Sequence, residues 1–429
     1  MEYLKRAEPQ SQAATQAIRD TVSRVLLDVE RERLAAVRRY SEQFDGWNPE
    51  SFHLSSTQIE EGLASVPEEV ARSIDFAVEE VRKFARLQRE SLHDFEVQTL
   101  PGVTLGQRHI PVNAVGAYVP GGRYPLIASA IMTIAVPRVA GVGRVVATTP
   151  PQRGTGKVNP AQLYAMARSG VDAIYALGGV QAMAAMAYGL DDAPPLEPVD
   201  MIVGAGNAYV AEAKRQLFGT VGIDLLAGPT EICILADDSA DPRLVAADLL
   251  GQAEHGTNSP AVLVTTSREV GEATLREIDR WLPTWPTAEV AGEAWRTLGE
   301  VIVVEGDEEM VRVSDQIASE HLEVQTRDPR WFLTRLTNYG SLFLGQSATV
   351  VYGDKGIGTN HVLPTGRAAR YTGGLWVGKF IKTVTWQHVT PEGDALVAPH
   401  IAAVADAEGM AGHALTARLR LEALERAQP

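Results

Sequence analysis

Met201-Ile202-Val203-Gly204-Ala205-Gly206-Asn207 is the stretch whose reading decides the fold. Three apolar, strand-compatible residues run into a glycine turn, and the helical pattern of Ala208–Phe218 follows at once. A strand that enters a helix through paired glycines is the local context of a dinucleotide-binding turn. The third glycine of Gly-x-Gly-x-x-Gly is replaced by Tyr209. The stretch therefore reads either as a cofactor turn or as a tight strand-to-helix connection. Asp224 lies on the following strand, near where a ribose-binding acid sits in such units.

Outward from this turn the same alternation continues. Upstream, strand patterns at Arg144–Thr149 and Asp172–Leu177 alternate with helix patterns at Ala161–Arg168 and Val180–Tyr188. Downstream come strands Ile232–Ala236, Ala261–Thr265 and Val301–Val304, with helices at 241–254, 268–282 and 307–318. Strands alternating with helices imply βαβ units and parallel sheets, here in two α/β lobes. Gly340–Leu344 and Thr349–Tyr352 read as further strands, and 353–374 as a glycine-rich loop of the kind that carries sites.

The first ninety residues are mostly helical in pattern. Ile18, Val22, Val25, Leu26 and Val29 repeat at helical spacing within 12–44. Thr57 with Glu60 three residues on predicts a capping box, and Pro67 opens a second helix running to about Glu90. Phe95–Leu100 and Val103–Ile110 flank Pro101-Gly102 as a hairpin. Ala405–Ala427 reads as helix.

Composition narrows the function classes. The 429 residues allow about three domains or lobes. Lys and Arg number 39 against 54 Asp and Glu, a net charge of −15. Such a surface argues against nucleic acid or an anionic membrane as partner. One cysteine, Cys233, forbids an internal disulfide and fits a reducing, cytoplasmic setting. The longest uncharged apolar stretch, Tyr124 to Pro137, falls short of the ~20 residues a spanning helix needs.

Several residue groups bear chemistry, and each also has a bland reading. Tyr118-Val119-Pro120-Gly121-Gly122 offers backbone NH groups to a phosphate, or is a plain Pro-Gly turn. Gln252 and His255 are three apart at a helix end, so both can face one metal, or solvent. Glu320 and His321 place a carboxylate beside an imidazole, suited to two proton transfers if the backbone bends there. Asp354 and His361 share the glycine-rich loop. Glu408 and His413 are five apart, so on one regular helix they would not share a face. Cys233 lies in a predicted buried strand and reads as structural.

Taken in order, Tyr118-Val-Pro-Gly-Gly122, Gly178-Gly-Val-Gln-Ala182, Gly204-Ala-Gly-Asn207, Ala227-Gly-Pro-Thr-Glu231, Asp248-Leu-Leu-Gly-Gln-Ala-Glu-His255, Ser319-Glu-His321 and Gly358-Thr-Asn-His-Val-Leu-Pro-Thr365 resemble the histidinol dehydrogenase family. The resemblance implies two incomplete Rossmann-like lobes with parallel sheets, a helical N-terminal segment and a C-terminal helical arm. Its boundaries fall at 1–22 for the N-terminal segment, 118–231 for the NAD lobe, 23–117 with 232–375 for the metal-bearing lobe, and 376–429 for the arm.

It further implies a zinc-dependent, NAD-linked oxidation of a primary alcohol to a carboxylate by two hydride transfers. One Zn²⁺ per subunit would be held by Gln252, His255, Asp354 and His413. His321 would take the alcohol proton, and Glu320 would activate water. NAD would contact Tyr118, Gln181 and Asn207. Substrate would also touch Thr230, His361 and Glu408. The implied assembly is a homodimer in which Glu408 and His413 serve the neighbour's site.

Two departures stand out. Thr230 replaces the serine usual in the Gly-Pro-Ser-Glu motif, with the hydroxyl kept. Gly373-Gly-Leu-Trp-Val-Gly-Lys-Phe380 resembles the sulfopropanediol 3-dehydrogenase branch, whose substrate is 2,3-dihydroxypropane-1-sulfonate. A sulfonate calls for cationic donors, and Arg123, Arg367, Arg370 and Lys379 lie in or beside the implied site segments, Arg370 being the first choice. The rival reading is L-histidinol oxidation.

Overall fold

The computed structural model describes residues 1–8, 15–121, 124–152 and 154–427. Strand β1 (Glu2–Lys5) leads to α1 (Thr15–Glu32) and α2 (Leu34–Asp45). The single helix expected over 12–44 is thus two, broken at Arg33, whose φ of 49° lies in the left-handed region. Residues 12–14 fall outside the described ones. Val22, Val25 and Val29 of α1 are fully buried, as their spacing predicts. Helix α3 (Ser56–Ala64) is capped by Ser55 with Gln58, not by Thr57 with Glu60. Helix α4 (Glu68–Glu90) starts just after Pro67.

Two units make up the chain: Met1–Leu87 with Val112–Phe380, and Gln88–Pro111 with Ile381–Pro429. In the first unit, β4 (Ala114–Tyr118), α5 (Ile127–Ala140), β5 (Arg144–Thr149), α6 (Pro160–Ser169), β6 (Ala173–Ala176), α7 (Gly179–Tyr188), β7 (Met201–Val203), α8 (Ala208–Leu217) and β8 (Gly222–Ile223) form one lobe, after the hairpin strands β2 (Phe95–Leu100) and β3 (Val103–Pro111) that belong to the second unit. The lobe's sheet runs β6-β5-β4-β7-β8, all parallel. The strand order reverses between β4 and β7, and ligands of open α/β sheets bind beyond the carboxyl ends at such a point. Tyr118 and Gly204 sit there. Helix α5 is the apolar stretch that includes Pro137. It is buried on nearly all sides, and among the described residues no helix is long and apolar enough to cross a membrane.

The second sheet is built the same way. Its elements are β9 (Ile232–Ala236), α9 (Pro242–Ala253), β10 (Ala261–Thr265), α10 (Arg268–Trp281), α11 (Ala288–Leu298), β11 (Gly299–Val303), α12 (Asp307–Ile317), β12 (His321–Gln325), α13 (Pro329–Leu333), β13 (Ser341–Leu344) and α14 (Val350–Lys355). The order is β1-β11-β10-β9-β12-β13, with only β1 antiparallel. Cys233 on β9 is fully buried, and burial pushes its thiol pKa up. The strand expected at Thr349–Tyr352 is instead the start of helix α14. Its β-branched residues favour a strand locally, but Val350 N donates to the buried Glu323 carboxylate at 3.0 Å, which satisfies a helix N-terminus.

In the second unit, β14 (Ile381–Val389) pairs antiparallel with β3, giving a sheet β14-β3-β2. The hairpin read within 23–117 therefore shares its sheet with a strand of the 376–429 segment. Helices α15 (Pro391–Ala407) and α16 (Ala411–Ala427) follow. The helix expected from Ala405 to Ala427 is broken at Gly409, where φ is 74°.

Candidate active site

Parallel pairing of β9 with β12 sets His321 opposite Ile232 at the amino ends of both strands. Glu320 immediately precedes β12, and the chain before β9 supplies Thr230 and Glu231. Both sides of the Glu231 residue's backbone are used. Its N–H donates to Glu320 Oε2 at 2.9 Å, and its carbonyl oxygen lies 3.0 Å from His321 Nδ1. A carbonyl can only accept, so Nδ1 carries a proton and Nε2 holds the lone pair of the neutral ring. This backbone bridge is the bend that the sequence demanded for a shared role.

Glu320 and His321 are both buried, and their nearest atoms, Oε2 and Nδ1, are 3.4 Å apart. Burial pushes the Glu320 carboxyl up to about 7, against the opposing pull of His321 and the Thr230 hydrogen bond. Burial alone would lower His321, but the Glu320 and Asp354 carboxylates raise it to about 9. Thr230 links the pair to α9. Its hydroxyl donates to Glu320 Oε2 at 2.5 Å and accepts from Gln252 Nε2 at 2.6 Å.

Three of the four expected metal ligands lie in this unit. Asp354 Oδ1 is 3.4 Å from His321 Nε2. Burial would raise the Asp354 pKa, but the His321 hydrogen bond and the charges of His361 and His321 hold it well below the carboxylate range. His255 lines a cleft of about 1500 Å³. The protein around it lowers its pKa from the ordinary histidine value, against the attraction of Asp354. Gln252 is buried, its amide nitrogen donating to Thr230 Oγ1 at 2.6 Å and lying 3.4 Å from His321 Nδ1. Among the described residues no three His, Cys, Asp or Glu side chains converge on a metal position, so a cation here would also need the Gln252 amide or a donor from outside this unit. The residues fit such a cation in kind. Imidazole and carboxylate are ordinary zinc donors, and the buried His321 Nε2 has, among the described residues, only the long 3.4 Å approach of Asp354 Oδ1.

Both ring nitrogens of His361 have protein partners. Nδ1 donates to the Asp354 carbonyl at 3.0 Å, and Nε2 lies 2.9 Å from Ser129 Oγ. The fourth expected ligand, His413, and Glu408 belong to the second unit. Glu408 ends α15, and His413 lies in the first turn of α16.

At the switch point of the first sheet, Gly204 has φ 118°, and a Cβ there would come within 2.2 Å of the Tyr118 carbonyl oxygen. Only glycine fits. Asn207 caps α8, its side chain accepting from Tyr209 N and Val210 N at 3.0 and 3.2 Å. Tyr118 is buried along the cleft wall, and its hydroxyl accepts from Gly179 N at 3.2 Å. Gln181 is buried and donates to Asp45 at 2.9 Å, while its Oε1 has no partner. Asp224 is not turned toward a ribose. It is buried, forms an ion pair with Lys214, and accepts from Gly204 N at 2.8 Å. Lys214 in turn donates to the Gly204 carbonyl at 2.8 Å. The pair clamps the glycine turn.

The 365–380 segment hangs on the loop before β9. Thr365 Oγ1 accepts from Gly228 N at 2.5 Å, and Glu231 Oε1 accepts from Gly366 N at 3.1 Å. Thr365, Gly366 and Tyr371 line the cleft. Arg370 is exposed, with Nε donating to the Arg367 carbonyl at 3.0 Å, and it is not on the cleft wall. Lys379 donates to Thr372 at 2.9 Å. Gly122 and Arg123 lie outside the described residues. Sequence reasoning missed Glu231, Lys214 and Ser129 as site-building residues. Only Glu231 carried a signal, its place in the Gly-Pro-Thr-Glu motif.

A family model described as histidinol dehydrogenase matches residues 8–421. A histidinol dehydrogenase homolog of Shouchella clausii is 52% identical over 98% of this chain and 99% of the relative. The sulfopropanediol 3-dehydrogenase of Ruegeria pomeroyi is 48% identical over 98% of this chain and 96% of the relative. Among solved structures, histidinol dehydrogenase from Elizabethkingia anophelis superposes with a TM-score of 0.91 at 33% identity, covering 98% of this chain and 95% of that one. Fold and relatives together define an α/β oxidoreductase. The chain belongs to the histidinol dehydrogenase family.

Proposed function

We propose that this protein oxidises a primary alcohol to a carboxylate through the aldehyde, with NAD as acceptor and a zinc ion at the site. The observation that carries the reading is the buried Glu320–His321 pair bridged by the Glu231 backbone. In the neutral ring, which a pKa raised to about 9 makes the major form only at alkaline pH, His321 Nε2 is the atom that takes the alcohol proton. Glu320, polarised by Thr230, takes a proton from the water that adds to the aldehyde. Each oxidation removes one hydride and one proton, so two cofactor molecules are reduced per carboxylate. Gln252, His255 and Asp354 would hold the zinc, which supplies Lewis-acid activation of the substrate oxygen. Bound NAD would supply the hydride acceptor, with Tyr118 and Asn207 flanking the Gly204 turn where it would lie and Gln181 on α7 as the third expected contact. A homodimer, with His413 and Glu408 completing the site of a second copy, is part of the same reading, as is action in the cytoplasm.

The proposed substrate is 2,3-dihydroxypropane-1-sulfonate, giving 3-sulfolactate. The Ruegeria relative and the Gly373–Phe380 run support it, and Arg367, Arg370 and Lys379 supply cations on the adjoining segment. L-histidinol is the second reading, favoured by the family model and the superposed structure. Purified zinc-loaded protein given NAD and each alcohol in turn decides between them. Two NADH per sulfolactate with little turnover of histidinol is expected. Efficient oxidation of histidinol alone would overturn the substrate.

A further inference from the structure

Behind the candidate site lies a second carboxylate cluster that the chemistry above does not use. Glu323 is on β12, two residues past His321, and is buried. Its Oε1 accepts from Val350 N at 3.0 Å. Asp248 is on α9, one turn before Gln252, and its Oδ1 accepts from Thr349 Oγ1 at 2.9 Å. Gln325 Nε2 donates to both carboxyls, to Glu323 Oε2 at 2.9 Å and to Asp248 Oδ2 at 3.1 Å. Three side chains thus tie together β12, α9 and the start of α14. Each of these elements carries a site residue close by, His321, Gln252 and Asp354 respectively.

Helix α14 has six residues. So short a helix does not hold itself together, and its β-branched start favours a strand. The bonds to Glu323 and Asp248 are what seat it, and Asp354 is one turn beyond Val350. A half-buried carboxyl, Asp248, beside the buried Glu323 is costly as packing alone, because like charges oppose ionisation and partial or full burial removes water from each.

We propose that Asp248 and Glu323 are positioning residues that, with Gln325, set α9 and α14 against β12 and so fix Gln252 and Asp354 beside His321. The inference rests on the zinc reading for its functional consequence. Burial raises the pKa of both carboxyls, so one proton between them is the natural state. An amide at position 323 keeps an acceptor for Val350 N and a donor toward Asp248, and gives up only the bond from Gln325 Nε2.

The test compares wild type, Glu323→Ala and Glu323→Gln as full-length folded protein. Zinc affinity is measured by competition with a chromophoric chelator, and amide exchange is followed at 349–355. Glu323→Ala is expected to weaken zinc binding about 10- to 100-fold, the usual range for removing an outer-sphere partner. It should also speed exchange at Val350 and lower kcat while leaving KM for NAD unchanged. Glu323→Gln should recover most of each effect, because the tie to Val350 N is kept. Wild-type zinc affinity and exchange in Glu323→Ala, or equal damage in Glu323→Gln, would overturn the inference. If Glu323→Ala does not fold, Thr349→Val removes one tie alone, and Thr349→Ser should rescue it. Folded wild type that takes up no zinc would sink the metal reading separately, and exchange at Val350 would still decide whether the carboxyls seat α14.

Discussion

The Thr230 hydroxyl donates to Glu320 Oε2 across 2.5 Å. A hydrogen bond to a carboxylate favours its charged form, so it offsets part of the upward push that burial gives Glu320. Thr230→Val removes that donor. Bonds to charged groups contribute about 1.5–3 kcal/mol, which is roughly one to two pK units. The acidic limb of aldehyde oxidation should therefore move to higher pH by about that much, and Thr230→Ser should leave it in place. A pH profile of aldehyde oxidation unmoved by Thr230→Val would break the link between hydroxyl and base.

Lys214 and Asp224 form a buried ion pair under the Gly204 turn. Lys214→Met would leave the Asp224 charge without its partner, a change that typically costs about 3–5 kcal/mol. Denaturant unfolding should show that loss. In the surviving folded protein KM for NAD should rise well above any change in KM for the alcohol. Equal effects on both would mean that the pair does not serve the cofactor turn.

Stability should fall as pH rises through the neutral range. Burial first, and the Asp248 charge second, push Glu323 up to about 8 from an ordinary carboxyl value. Between those two values the folded chain holds a proton that the unfolded chain has lost. The unfolding free energy therefore declines with pH across that window and levels off above it. Glu323→Gln removes the titrating group. Urea midpoints taken from pH 5 to pH 8 should slope down in wild type and less in the variant.

The proposed dimer makes a complementation prediction. His255→Ala and His413→Ala should each be inactive alone. If His413 serves the neighbour's site, mixed dimers contain one site with both residues intact, and activity should return after subunit exchange. Persistent inactivity in verified heterodimers would place His413 in its own subunit's site.

Arg370 is exposed beside the cleft-lining Tyr371. If its guanidinium pairs with the sulfonate, Arg370→Gln should raise KM for the sulfonate by an amount worth about 0.2–1 kcal/mol, the range for an exposed ion pair. KM for NAD should stay constant. An unchanged sulfonate KM would transfer the role to Arg367 or Lys379.

The alternation of strands and helices was legible because burial repeats with the period of each element. Strands Met201–Val203, Ile232–Ala236 and Ala261–Thr265 end where the apolar runs end. Where two local readings compete, the sequence by itself does not choose. Ser55 with Gln58 and Thr57 with Glu60 are both capping patterns, and only the folded chain shows which is used. Val350 and Val351 favour a strand until Glu323, 27 residues earlier, supplies the acceptor that starts a helix. The candidate site residues could be named from motifs, and the structure brings Glu320, His321, Gln252 and Asp354 together. How they are held was not legible. The Glu231 bridge works through backbone atoms that every residue has, so no side-chain pattern announces it. Asp224, read from the sequence as a strand residue, falls just past β8, and its engagement by Lys214 depends on a turn that brings helix α8 back over Gly204. Side-chain type and spacing determine what chemistry is present. Hydrogen bonds between segments far apart in sequence decide which atom of each group is left to perform it.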